Sequence, residues 1–275
     1  MKKISVITGG GSGMGFEAAK ILGKEYSIIL AGRTVSKLEN AVNELKSLGI
    51  DAEAYPADMS DRSSVNKLAE YAASKGNVKC LIHAAGVSPN MTNGEAIFSI
   101  NAVGTINVDE AFASVMTKGS CILNVSSMSA YMLPAEKVPT QLYKLALQDV
   151  SAFEAGAKQM LSVIPDEQKT GSAYTISKNF VCWYTSRMAV KYGSKGIRVV
   201  SISPGTFSTP MGEVEGERAA ALARRGPLGR VGDPVEIAKM MAFMVSDEAS
   251  YLTGSDILYD GGAVAAFKEM TENRQ

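Results

Sequence analysis

Histidine is nearly absent: the 275-residue chain has one, His83, and a single histidine cannot build a histidine-rich metal site. Cysteine is scarce too. Cys80, Cys121 and Cys182 stand apart in apolar surroundings. An odd, unclustered set argues against a disulfide framework and a zinc site, and fits small core residues in a reducing cytoplasm. Neither charge is in excess, with Lys plus Arg and Asp plus Glu at 28 each. Without a global basic field, nucleic acid and anionic membranes are not expected partners. No run approaches the ~18 apolar residues of a membrane span. The opening Met-Lys-Lys-Ile-Ser-Val-Ile begins as a signal peptide does, but breaks into glycines at Gly9 before an apolar segment can build.

Repeats and Pro/Gly/Ser-rich linkers are missing as well, so residues 1–275 are expected to form a single domain. What is present is an alternation of strand-like runs and helical patterns. Strands are expected at Ile4–Thr8, Ser27–Ala31, Ala52–Pro56, Val78–Ala84, Ser120–Val125, Arg198–Ser203 and Ile257–Tyr259. Helices are expected at Phe16–Leu22, Ser36–Leu48, Ser63–Ser74 and about Ala173–Tyr192. Near-continuous apolar strands between helices imply a parallel sheet covered on both faces. The expected fold class is α/β, a Rossmann-type doubly wound parallel sheet of about seven strands.

Thr8-Gly9-Gly10-Gly11-Ser12-Gly13-Met14-Gly15 joins the first strand to the first helix. Glycines allow a sharp turn and close approach to a pyrophosphate, and the helix N-terminus supplies free N–H donors and partial positive charge. Gly9, Gly11, Ser12, Gly13, Met14 and Gly15 are therefore candidate dinucleotide contacts. The second strand ends at Gly32-Arg33, where an NAD site would carry a carboxylate for the ribose hydroxyls. Arg33 suits a 2′-phosphate instead, so NADP(H) is favoured over NAD(H), with Lys37 one turn further on. Asp58, followed by Met59, stands where an acid can accept from an adenine amino group.

Tyr174 and Lys178 lie four residues apart on one helix, so both side chains face one way. A phenol of ordinary pKa ~10 is a poor acid–base at neutral pH. A neighbouring ammonium and a cationic nicotinamide ring both favour its phenolate. Tyr174 can then exchange a proton with a substrate oxygen while hydride moves to or from the nicotinamide. Ser127 can donate to the same oxygen, and Asn101 can hold a water linking Lys178 to solvent.

The chain resembles the short-chain dehydrogenase/reductase family over nearly its whole length. The resemblance is carried by Thr-Gly-x-x-x-Gly-x-Gly at 8–15, Asn-x-x-Gly at 101–104, Ser127, Tyr-x-x-x-Lys at 174–178 and Pro-Gly-x-x-x-Thr at 204–209. Gly226–Pro234, Thr253-Gly254 and Asp260-Gly261-Gly262 complete it. It implies catalysis by Asn101, Ser127, Tyr174 and Lys178, with cofactor contacts from Ala85, Gly86, Pro204, the Phe207 backbone and Thr209. Residues after Thr209 would form a mobile substrate lid. One departure is His83-Ala84-Ala85-Gly86, which stands where the family has Asn-Asn-Ala-Gly. His83 is not expected to act as a base.

The second departure is length. Forty-six residues separate Ser127 from Tyr174, and the insertion, about 128–170, reads as one helix over Gln141–Ile164 in which Asp149 is the lapse. It resembles that of the bacterial 3α-hydroxysteroid dehydrogenase/carbonyl reductase subgroup, which uses NAD(H), so Arg33 marks a difference. Tyr131, Met132, Leu133, Leu142 and Tyr143, with Met211 and Val214 on the lid, are candidate pocket residues for a bulky apolar alcohol or ketone such as a steroid or bile acid. The insertion could equally pack on the body or reshape a subunit interface of a homodimer or homotetramer. Alternatives are a 3-ketoacyl thioester or small-ketone reductase, for which Arg224, Arg225 and Arg230 would offer a basic patch to a carrier protein, and a non-catalytic NADP(H) sensor. The enoyl-reductase reading is disfavoured by the spacing of Tyr174 and Lys178.

Overall fold

A computed structural model describes residues 2–272. Seven strands, β1 Lys3–Thr8, β2 Ser27–Gly32, β3 Ala52–Pro56, β4 Asn77–His83, β5 Ser120–Val125, β6 Ile197–Pro204 and β7 Asp256–Tyr259, form one parallel sheet in the order β3-β2-β1-β4-β5-β6-β7. The chain winds outward from β1 to β3, then returns to place β4 on the other side of β1. That reversal makes a switch point between β1 and β4, where the loops leave in opposite directions and open a crevice. Thr8 and His83 are register partners at its floor.

The helices are α1 Gly13–Leu22, α2 Val35–Ser47, α3 Arg62–Lys75, α4 Gly94–Phe98, α5 Gly104–Val115, α6 Thr140–Leu145, α7 Val150–Ser162, α8 Asp166–Gly193, α9 Pro210–Arg225, α10 Pro234–Val245 and α11 Ala263–Glu272. They cover both faces of the sheet because strand side chains alternate. Ile4 and Val6 of β1 pack with Phe112 of α5 and Phe180 of α8, whereas Ile7 packs on the opposite face with Phe16 of α1 and Met241 of α10. Cys80 and Cys121, neighbours in register on β4 and β5, are buried free thiols in that second core.

The insertion differs from its expected single helix. It breaks into α6 and α7, and Asp149 is the reason: its Oδ1 accepts from Ala152 N at 3.1 Å and caps α7. The helix that carries Tyr174 and Lys178, α8, is also longer than expected, starting at Asp166 rather than near Ala173. Pro165 followed by Asp166 and Glu167 is a helix-start pattern that apolar periodicity alone does not detect.

Candidate active site

The glycine turn is shaped by backbone contact. Gly9 has φ 68°, and a Cβ there would sit 2.7 Å from Ala85 N. Gly13, with φ 59°, opens α1. Ser12 is the N-cap, yet its side chain makes no capping bond and the first turn has no acid. The N-terminal donors of α1 therefore face a crevice of 390 Å³ without a built-in anion. Gly9, Gly11, Ser12, Gly13, Met14, Gly15, Arg33, Asp58, Met59, Ala85 and Gly86 all line it. Arg33 is exposed and makes no ion pair among the described residues, and Lys37 stands beside it. Asp58 Oδ1 accepts from Ser60 N at 2.9 Å and Ser60 Oγ at 2.7 Å, so its carboxylate is anchored at the crevice wall. An uncapped helix start, a glycine-rich turn and two cations at the far end fit a dinucleotide bearing phosphates.

A second hollow of 530 Å³ continues from the first through the shared residues Met14, Ala84, Gly86, Val87, Thr209 and Met211. Ser127, Tyr174, Lys178, Pro204 and Phe207 line it. Lys178 is buried, its Nζ donates to Val125 O at 2.9 Å, and it lies 5.9 Å from the Tyr174 ring centre. Ser127 ends the segment after β5, and its Oγ accepts from Ser129 N at 3.2 Å. Asn101 sits in a π-helical stretch, Ser99–Val103, of the kind that recurs at functional sites. Its amide grips the loop after β4: Oδ1 accepts from Val87 N at 2.9 Å, and Nδ2 donates to Val87 O at 3.0 Å. Nδ2 also reaches Ser177 Oγ at 3.4 Å. Its side chain thus positions the Gly86–Val87 backbone, a task the sequence did not suggest.

The pocket expectations need correction. Tyr143 is fully buried, with its hydroxyl on Ile176 O at 2.9 Å and its ring edge-on to Phe180 at 5.3 Å. Leu133 packs against the core, as does Leu142. Tyr131 is tied to Asp256 at 2.7 Å. None of these four lines the hollow; Met132 and Met211 do, and Val214 lines the dinucleotide crevice. The insertion's aromatic side chains instead pack on the body, Phe153 lying 4.7 Å from Phe180. Unanticipated lining comes from Met128, Glu167, Thr170 and Leu222. Glu167 and Thr170 belong to the first turns of α8 that the expected helix omitted.

His83 does not line either hollow. It is buried, its Nδ1 is 2.7 Å from Thr8 Oγ1, and Thr8 Oγ1 accepts from Ala85 N at 3.2 Å. Burial, with Lys178 nearby, depresses its pKa to about 3. It is a neutral strut between β1 and the loop after β4 rather than a base.

Two family models match in tandem. One, described as short chain dehydrogenase, matches residues 3–139; the other, described as enoyl-(acyl carrier protein) reductase, matches residues 157–264. The chain belongs to the short-chain dehydrogenase/reductase family. The unmatched residues 140–156 between the two models hold α6 and the start of α7. The short-chain dehydrogenase/reductase bsc3 of Alternaria brassicicola is 29% identical, over 99% of this chain and 100% of that protein. The 3-oxoacyl-(acyl-carrier-protein) reductase FabG of Thermotoga maritima is 29% identical, over 95% of this chain and 98% of that one. A short chain dehydrogenase from Burkholderia cenocepacia, solved in complex with NADP, shares the fold at TM-score 0.76 and 23% identity, over 95% and 97% of the two chains. As a member of this family of oxidoreductases, the chain uses a nicotinamide cofactor. No helix among the described residues is long and apolar enough to cross a membrane, and no cluster of possible metal ligands occurs among them.

Proposed function

We propose that this short-chain dehydrogenase/reductase interconverts a secondary alcohol and a ketone with NADP(H), on a bulky, neutral, apolar substrate. The observation that carries the reading is the continuity of the two hollows. Ser127, Tyr174 and Lys178 stand along the one, and the uncapped α1 start, Arg33 and Lys37 along the other. In reduction, Tyr174 gives its hydroxyl proton to the carbonyl oxygen, and Ser127 donates a hydrogen bond to that same oxygen. Lys178 favours the phenolate left behind, and Asn101 holds the loop against which the substrate edge rests. The nicotinamide supplies the hydride when bound. Arg33 and Lys37 hold the 2′-phosphate.

A hollow of 530 Å³ falls in the range of small-molecule sites, ~300–1,000 Å³. Met14, Met128, Met132 and Met211 give it a deformable apolar lining. This supports a steroid-like ketone and the proposed likeness to the 3α-hydroxysteroid dehydrogenase/carbonyl reductase subgroup. Glu167 at its edge disfavours anions, and so favours a neutral steroid over a bile acid. The second reading is a 3-ketoacyl thioester, suggested by the name of the Thermotoga relative. Against it, two of the three arginines of the expected basic patch are engaged: Arg230 pairs with Glu236 through two bonds of 2.8 and 2.7 Å, and Arg224 pairs with Glu217. The reading also includes a symmetric homodimer or homotetramer in a reducing, cytoplasmic compartment, in keeping with three free cysteines.

One screen tests the reading. NADPH oxidation and NADP⁺ reduction are followed with steroids, bile acids, ketoacyl thioesters and small ketones, using the wild type, Tyr174→Phe and Arg33→Ala. Tyr174→Phe is expected to abolish turnover and keep NADPH binding. Arg33→Ala is expected to weaken NADPH at least about tenfold more than NADH. Equal loss for both nucleotides, or full activity in Tyr174→Phe, would refute it.

A further inference from the structure

The turn that carries Ser127 has little packing of its own. It is a five-residue 3₁₀ turn, Met128–Met132, in which Ala130 alone is buried. Short turns of this type are weakly stable by themselves. Ser127 caps it through Oγ, so the direction of the serine side chain follows the path of the turn.

Two ties hold it, from opposite sides. The Tyr131 hydroxyl donates to Asp256 Oδ2 at 2.7 Å, joining the turn to the start of β7 across 125 residues of sequence. Asn179 Nδ2 donates to Ala130 O at 3.0 Å. Asn179 follows Lys178 on α8, and its amide oxygen lies 3.1 Å from the Tyr143 hydroxyl of α6, whose one proton it shares with Ile176 O at 2.9 Å. The Tyr143 ring is locked among Phe180 and Trp183, so the hydroxyl has a fixed place. A hydrogen-bonded network in a buried setting holds geometry better than isolated surface bonds. Burial, with the Asp256 carboxylate for Tyr131, pushes both phenols upward and keeps them as donors.

We propose that Tyr131 and Tyr143 are positioning residues, which through Asp256 and through Asn179 fix the turn 128–132 and thereby hold the Ser127 hydroxyl in the cleft that Tyr174 lines. The two tyrosines then serve the reaction from behind the cleft wall, while Met128 and Met132 of the same segment line the hollow itself. The proposal rests on the reading of Ser127 as the donor to the substrate oxygen.

Tyr131→Phe and Tyr143→Phe remove one oxygen each and keep the rings. NADPH oxidation is measured with phenanthrenequinone and dihydrotestosterone as carbonyl probes. Each variant is expected to lose roughly tenfold in kcat, with the Kd for NADPH unchanged. In a Ser127→Ala background the same substitutions are expected to have no further effect, because they act through that serine. Asp256→Asn retains an oxygen acceptor for Tyr131 and is expected to keep most of the activity, whereas Asp256→Leu is not. Hydrogen–deuterium exchange supplies a readout that needs no substrate: residues 127–133 should exchange faster in both tyrosine variants, with residues 9–15 unchanged. Multiplying costs in the Ser127→Ala background, or unaltered exchange at 127–133, would overturn the proposal. Should Ser127→Ala itself keep full turnover, the functional reading of Ser127 falls and this proposal with it. Wild-type turnover in the tyrosine variants beside an inactive Ser127→Ala would defeat this proposal alone.

Discussion

Gly86 shows how tightly single residues are held at the site. A Cβ at this position would lie 3.0 Å from Asn101 Oδ1 and 3.4 Å from Lys178 Nζ. Gly86→Ala would crowd the Asn101 amide oxygen, which must give by a few tenths of an ångström, and would bring a methyl into contact with Lys178 Nζ. A displacement near 1 Å at a catalytic group can cost ~100-fold in rate. The smaller shift at Gly86→Ala is therefore expected to lower turnover severalfold while the protein stays folded, as circular dichroism would show; wild-type kcat would sink the assignment. The residue scale is also where sequence reasoning divided most sharply. Arg33 and Lys178 were legible because their places follow from strand and helix spacing. Tyr143 was not: its position near the site is local, but which way its ring points depends on Phe180 and Trp183, 37 and 40 residues further on.

At the scale of elements, boundaries depended on polar residues more than on apolar ones. The strands emerged within a residue or two because an apolar, β-branched run between helices has few alternatives. The insertion did not, since a helix-like apolar spacing continues through Asp149 while the chain breaks there. Removing the cap tests this. Asp149→Ala is expected to destabilise α7 by about 1 kcal/mol, with kcat nearly unchanged. Thermal melting beside steady-state kinetics would check it, and an unchanged melting temperature would refute the capping role. The same oversight concealed Glu167 and Thr170. The start of α8 is set by Pro165 and two acids, and that extra length carries side chains to the rim of the hollow.

The whole molecule carries a buried charge problem of its own. Asp109 of α5 is fully buried, and its Oδ2 accepts from Asn124 Nδ2 of β5 at 3.0 Å. Asn124 Nδ2 also reaches Thr185 Oγ1 of α8 at 3.2 Å, so the cluster joins the sheet to two helices. Asp109 Oδ1 has no hydrogen-bond partner among the described residues. Burial raises the carboxyl to about 7; the Asn124 bond opposes this, and nearby Glu110 adds to it. An unfolded aspartate titrates near ~3.9. The folded pKa is thus the higher one, and the folded state binds more protons between those values. The stability contributed by this group is present below ~4 and is lost as pH rises through about 7. Asp109→Asn keeps the shape without the ionisation. Its melting temperature relative to wild type is expected to climb by several degrees between pH 5 and pH 8. The same difference at both pH values would show that Asp109 does not titrate in this window.

The local order of the chain determined the alternation of strand and helix, the glycine turn at the end of β1, and the helical pairing of Tyr174 with Lys178. Each follows from covalent neighbours and from the repeat of strand or helix, which sequence displays directly. Only the tertiary structure decided what lies across long separations. It set the strand order that opens the crevice between β1 and β4, and it joined that crevice to the Ser127 hollow. It turned Tyr143 inward, and it brought Tyr131 to Asp256. These are contacts between distant segments, chosen by how the layers pack and which polar groups must find partners once buried, and no local pattern encodes that choice.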